Sequence, residues 1–172
     1  MKPTSFFIAG TMQGSRSGDH QIDQNYRQEI ESIILRVFPG AKINCPGKIM
    51  VERLQDQEVA IRRSHATLVA QPTIDTSKLD DPMQRLTQIF HDLVDLSAGS
   101  DVCIAYLPNH EASMGTAAEM FAAYRNQKPV ITVTEMKQNL AVLSCSTAII
   151  PSLDFLSEAL EKLSNKGEEK CA

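Results

Sequence analysis

Two loops concentrate the residue types that do chemistry. The segment Ser113-Met114-Gly115-Thr116-Ala117-Ala118-Glu119 stands where a strand gives way to a helix. Ser113 and the amides near Gly115 suit a phosphate, because the first N–H groups of a helix have no partner within it. Glu119 falls one turn into that helix, where the helix N-terminus favours the ionised carboxylate. Such a group can attack an anomeric carbon or stabilise positive charge developing on it. The same residues also spell a capping box, Thr116 to Glu119, in which the glutamate only caps the helix. The spacing alone leaves both readings open. The other loop runs from Thr11 to Asp19 (TMQGSRSGD). Its glycines let backbone N–H groups turn toward an anion, and Ser15, Arg16 and Ser17 can add donors. An ordinary surface loop explains it equally well. It contains neither GK[ST] nor GxGxxG, which excludes a P-loop and a dinucleotide fingerprint.

The remaining ionisable candidates are scattered. Asp92 lies in the helix before the central strand, with Asp95 as its competitor, and Asp101 lies at the start of that strand. Paired carboxylates can divide acid and charge-stabilising roles when burial separates their pKa values. Asp101 is at the wrong end of its strand for that work and suits a turn. His91 sits beside Asp92, and His110 sits in the loop before Ser113, each without a partner that spacing supplies. Tyr26, Tyr106 and Tyr124 occupy core-like positions and read as packing residues.

These residues need a frame, and the pattern supplies one. SFFIAG (Ser5 to Gly10), AKIN (Ala41 to Asn44), DVCIAYLP (Asp101 to Pro108), KPVITVTE and a final edge strand in STAII read as strands. Helices are expected from about Asp23 to Val37, from Asp81 to Gly99 with Asp81 as cap and Pro82 in the first turn, over TAAEMFAAYRNQ, and from Ser152 to Leu163. VERLQDQEVAIRR reads as helix, and SHATLVAQPTIDTSK as loop or helix end. Strands and helices alternate, with connections too long for hairpins, so the expectation is an α/β three-layer sandwich on a mostly parallel five-stranded sheet. Ligands in such folds bind beyond the carboxyl ends of the strands, which places both loops on one edge. The expected domain covers residues 1–164, followed by a flexible tail, 165–172.

Composition narrows the partners. The 172 residues carry 17 Lys+Arg against 21 Asp+Glu, a net charge of -4, where a nucleic-acid polymer would call for a basic surplus. No apolar run approaches the roughly 18 residues of a membrane span, and MKPTSFFIAG reads as a first strand, not a secretion signal. Cys45, Cys103, Cys145 and Cys171 show no metal spacing and fit reduced thiols of a cytoplasmic protein.

As a set, FFIAGTMQGS, DVCIAYLP and EASMGTAAEMFAAYRNQKPVITV resemble the nucleoside 2-deoxyribosyltransferase family, which includes the nucleoside 5'-monophosphate N-hydrolases. The resemblance extends from about Phe6 to Leu156 and is weakest from Pro46 to Asp80. It implies a Rossmann- or flavodoxin-like sheet and a small nucleotide substrate, with neither cofactor nor metal. Glu119 becomes the nucleophile that expels the base from C1'. Asp92 becomes the acid that holds or protonates the base, if one residue is inserted before Asp101. Ser113 and Gly115 are placed at the 5'-phosphate, together with the first-loop residues Gly10, Met12, Gly14, Ser15 and Arg16. The true transferases carry an aspartate at the position of Ser113, so the resemblance favours a nucleotide over a nucleoside. It also implies a homodimer or higher homo-oligomer in which Asn139 completes the partner's site, although Asn139 reads equally as a helix cap. Two departures stand out: Phe7 replaces a tyrosine of the first strand, and Gln13 replaces a phosphate-binding arginine.

Overall fold

A computed structural model describes residues 2–12, 23–54 and 57–169. Five strands form one sheet: β1 (Ser5–Gly10), β2 (Lys42–Asn44), β3 (Val102–Leu107), β4 (Val130–Thr134) and β5 (Ala148–Ile150). Their order is β2-β1-β3-β4-β5, and every pairing is parallel. The chain moves outward from β1 to β2, then returns to the other side of β1 as β3. The sheet therefore has the flavodoxin-like order, with its topological switch between β1 and β3.

The expected α/β sandwich is present, and its core follows from period-2 alternation along β1. Phe6 and Ile8 face one side, with Val102, Ile104 and Ile131, under α1 (Asn25–Val37) and α7 (Leu156–Glu169). Phe7 and Ala9 face the other side, with Cys103, Ala105 and Leu107, under α4 (Asp81–Gly99), α5 (Met114–Arg125) and α6 (Leu140–Cys145). Phe6 and Phe7 are both fully buried, and each removes enough apolar surface from water to contribute about 2–3 kcal/mol. Phe7 is thus a core residue on the α4/α5 side.

Several boundaries differ from the sequence reading. VERLQDQEVAIRR is split between α2 (Pro46–Leu54) and α3 (Glu58–Val69). The stretch after Arg63 continues as helix to Val69, then reaches a short 3-10 turn at Thr76–Lys78. The cap of α4 is Asp80, not Asp81: its carboxylate accepts from the Met83 N–H at 3.1 Å. The last helix runs to Glu169, past the expected end at Leu163 and into the segment read as tail. Asp101 holds no local turn: it ties the start of β3 to the start of β1, accepting from the Thr4 and Ser5 amides and the Thr4 hydroxyl at 2.9–3.0 Å.

Candidate active site

Helix α5 begins where β3 ends. Ser113 is its cap: Ser113 Oγ accepts from the Thr116 N–H at 3.3 Å and from Thr116 Oγ1 at 3.0 Å. The capping-box reading therefore fails. With Ser113 as cap, Glu119 lies in the second turn, beyond the positions from which a side chain reaches the cap. A helical Cβ tilts toward the helix N-terminus, so the Glu119 side chain leans back toward Ser113 and Gly115. Ser97 of α4 locks this part of α5 in place by donating to the Glu119 carbonyl at 3.0 Å.

Glu119 opens onto a cavity of about 400 Å³ at the carboxyl end of β1. Gly10 and Met12 line it beside β1, Ser113, Met114, Gly115 and Thr116 at the start of α5, and Pro46 and Met50 of α2 on one wall. Leu86, Phe90 and Leu93 of α4 make the facing wall. A larger hollow of about 760 Å³ lies between α3 and the start of α4, lined by Val59, Arg63, Ser64 and Met83. It does not meet the strand ends.

Two ionisable side chains among the described residues line the cavity, Glu119 and Arg27. Glu119 is 6% exposed, and its carboxylate takes no hydrogen bond from the described residues. Burial pushes its pKa up to about 8, against the expectation that the helix N-terminus keeps it ionised, although the Arg27 guanidinium pulls the other way. Arg27 comes from α1, on the opposite face of the sheet, and reaches over the end of β1. Buried to 5% exposure, it donates to the carbonyls of Ile8 at 2.7 Å and Gly10 at 3.0 Å, and to Gln24 Oε1 at 2.8 Å. Its guanidinium also lies 5.0 Å from the Tyr26 ring. Tyr26 stacks on Tyr106 at 4.3 Å and donates to the Thr11 carbonyl at 3.2 Å. Its phenol is raised, first by burial. Behind Glu119, burial pushes the Cys103 thiol up to about 12, with the nearby carboxylate adding to the rise.

The structure gathers Glu119, Ser113, Gly115, Gly10 and Met12 around one space. The proposed anion cradle at Gly14, Ser15 and Arg16, with Gln13, lies outside the described residues. Asp92 does not line the cavity. It sits on the outer side of α4, paired with Arg53 at 2.5 Å and Gln88 at 2.9 Å, and both partners lower its pKa. The reason is helical phase: Leu86, Phe90 and Leu93 define the inward face, and Asp92 falls about 120° round the helix from it. Asn139 caps α6, accepting from the Ala141 and Val142 amides at 3.0 and 3.2 Å. It does not line this cavity of its own chain. Arg27 is the residue that sequence reasoning missed. Its signal, a charge on the apolar face between Tyr26 and Ile30, was visible but pointed to no chemistry.

Gly10 and Gly115 differ in kind. A Cβ on Gly10 would lie 2.4 Å from the Tyr26 hydroxyl, so packing demands glycine there. A Cβ on Gly115 would meet Phe90 at 3.6 Å, an ordinary contact.

This is the fold of a known nucleoside enzyme. The chain superimposes on the 2-deoxyribosyltransferase of Bacillus psychrosaccharolyticus with a TM-score of 0.54 at 14% identity, over 91% of this chain and 95% of that one. A conserved protein from Enterococcus faecalis V583 gives 0.53 at 16% identity, over 93% and 98%. The Clostridium botulinum CMP N-glycosidase BcmB gives 0.43 at 17% identity, over 92% and 96%. No family model matches the sequence, and no curated protein matches it. Among the described residues, no group of His, Cys, Asp and Glu could hold a metal ion, and no helix is long and apolar enough to cross a membrane.

Proposed function

We propose that this protein is an N-glycosidase that cleaves a nucleoside 5'-monophosphate into free base and (deoxy)ribose 5-phosphate. The observation that carries the reading is Glu119: a buried carboxylate without a hydrogen-bond partner, facing a cavity that also receives the N-terminus of its own helix. The phosphate would sit against Ser113 and the first amides of α5, where N–H groups and helix dipole favour an anion. That contact would set C1' of the sugar before Glu119, which attacks as the C1'–N bond breaks. Water then releases the sugar. The apolar α2 and α4 walls would take the base.

The fold shared with a 2-deoxyribosyltransferase supports a second reading, in which another base replaces water as the acceptor. One base-release assay separates the two. Nucleoside 5'-monophosphates and nucleosides are incubated with and without added acceptor base, and products are followed by chromatography. Free base from monophosphates alone is expected. A new nucleoside or nucleotide on adding acceptor base would replace hydrolysis with transfer. Base release unaffected in Glu119→Gln would overturn both.

The reading extends to a homodimer. Met114, Phe121 and Tyr124 of α5 are exposed, as are Leu140 and Leu143 of α6, and exposed apolar groups in such numbers call for a cover. Met114, at 89% exposure, stands at the cavity mouth, so a second copy seated there would close the site. Specific activity that falls on dilution through the dimer dissociation constant is expected. Constant activity in a demonstrated monomer would remove the partner from the site.

A further inference from the structure

Arg27 has more donors than the fold consumes. A guanidinium carries five N–H groups, and three of them serve Gln24, Ile8 and Gly10. The other two have no acceptor among the described residues, although the side chain is buried and lines the cavity. Leaving a buried donor unpaired costs about 1–3 kcal/mol, and a guest that supplied an acceptor would remove that cost. The anchored bonds and the Tyr26 ring fix the guanidinium, so it meets such a guest without reorganisation.

Its position relative to Glu119 matters as much. Arg27 is close enough to lower the Glu119 pKa, yet no salt bridge joins the two. Carboxylate and cation thus border one open space. The walls around it, Met50, Leu86, Phe90 and Leu93, have no proton to give. Breaking a glycosidic bond leaves both bonding electrons on the departing base. In an apolar enclosure that charge is far more costly than in water.

Resting on the N-glycosidase reading, we infer that Arg27 is a catalytic residue that receives the departing base as its anion. The substrates are then nucleotides whose base carries an acceptor beside the glycosidic nitrogen, as the 2-oxo group of a pyrimidine does. As the bond from C1' to the Glu119 oxygen forms, the C1'–N bond breaks and its electron pair stays on the base. The charge spreads to the 2-oxo oxygen, where the two N–H groups of Arg27 meet it. Water attacks C1', the Glu119 carboxylate leaves, and the proton lost by water ends on the base. No further reactant is needed.

The test is a leaving-group series: the 5'-monophosphates of 5-methyluracil, uracil and 5-fluorouracil, in order of rising base acidity. Arg27→Lys and Arg27→Gln are compared with wild type, with melting curves for each. Loss of one such donor group lowers kcat about 10²–10³-fold. That full loss is expected on the 5-methyl substrate, shrinking to about tenfold on the 5-fluoro substrate. An equal loss on all three would mean that Arg27 only holds the β1 carbonyls, and would overturn the inference. A second measurement needs neither an Arg27 variant nor turnover: 5-fluorouracil binding to Glu119→Gln, by calorimetry, should tighten as pH rises through the ionisation of the base. Binding that weakens over that range also overturns it. Wild-type protein that releases base from no nucleoside 5'-monophosphate, these three included, while that binding still tightens, would instead overturn the N-glycosidase reading and leave Arg27 as an anion-binding residue.

Discussion

Among the described residues, two hollows at the carboxyl edge of the sheet differ in what covers them. The first, between β1, α2, α4 and α5, encloses one buried carboxylate within hydrocarbon walls. The second, of about 280 Å³, lies over the ends of β3 and β4 and before α7, and holds Glu29, Glu135 and Asp154. Those three acids are all exposed, and Glu135 contacts the likewise exposed His110 at 3.4 Å. Three acids in water do less than one out of it. An exposed carboxylate is hydrated and screened, whereas burial raises the energy of the Glu119 charge and makes its reaction partner matter. Strand topology places both hollows where ligands bind in such folds; only the first is walled by α4 and α5.

The sharpest way to break this contrast is Glu119→Gln. Turnover should fall by about three to five orders of magnitude, as loss of a nucleophile does, with the circular dichroism spectrum unchanged. A near-wild-type rate would place the chemistry elsewhere. The pH dependence of kcat/KM should follow the same carboxyl group, since it attacks only when ionised. The rate is expected to rise about tenfold per pH unit up to about 8, where Glu119 titrates, and then level off. A limb centred near the ordinary glutamate value would show that the site is wetter than its walls suggest.

Stability should move in the opposite direction. The folded pKa of Glu119 lies above its unfolded value of 4.5, so the folded chain holds a proton that the unfolded chain releases. That contribution is complete below about pH 4.5 and is lost as pH rises through about 8. Glu119→Gln does not titrate. Its melting advantage over wild type should therefore be small at pH 4.5 and grow to a few kcal/mol, roughly, above pH 8. No growth with pH would mean that the carboxylate is hydrated in the folded state.

The two glycines sharpen the comparison further. Gly10→Ala must displace Tyr26 and should cost about 1–3 kcal/mol, read from a denaturant midpoint. Gly115→Ala should be neutral or stabilise by up to about 1 kcal/mol, because the helix gains and Phe90 accommodates the methyl group. If a phosphate approaches that backbone, Gly115→Ala will raise KM for a monophosphate without destabilising the fold. The smallest effect belongs to the second hollow. Glu135→Gln should leave turnover unchanged and stability within about 0.5 kcal/mol; a loss of activity would mean that the two hollows work together.

The sequence by itself determined the strands, the helices that alternate with them and one arm of the site, but not the α2 and α3 boundaries. The β-branched and aromatic runs, with Gly10 and Pro108 as stops, specify strands through local sterics. The spacing of Ser113 and Glu119 along one helix is a property of that helix alone, so it survived folding unchanged. Only the tertiary structure decided whether Glu119 caps or faces a cavity, because that depends on which residue begins α5. It also decided the α4 wall. Asp92 and Leu93 are neighbours in sequence, but the rotation of α4 against the sheet turns one outward to Arg53 and the other inward. Arg27 shows the limit most clearly. It belongs to a helix on the far face of the sheet and shares a cavity with Glu119 only because β1 ends where it does. A charge in an apolar stripe has no meaning until the packing of two layers supplies the carbonyls that hold it and the carboxylate it faces.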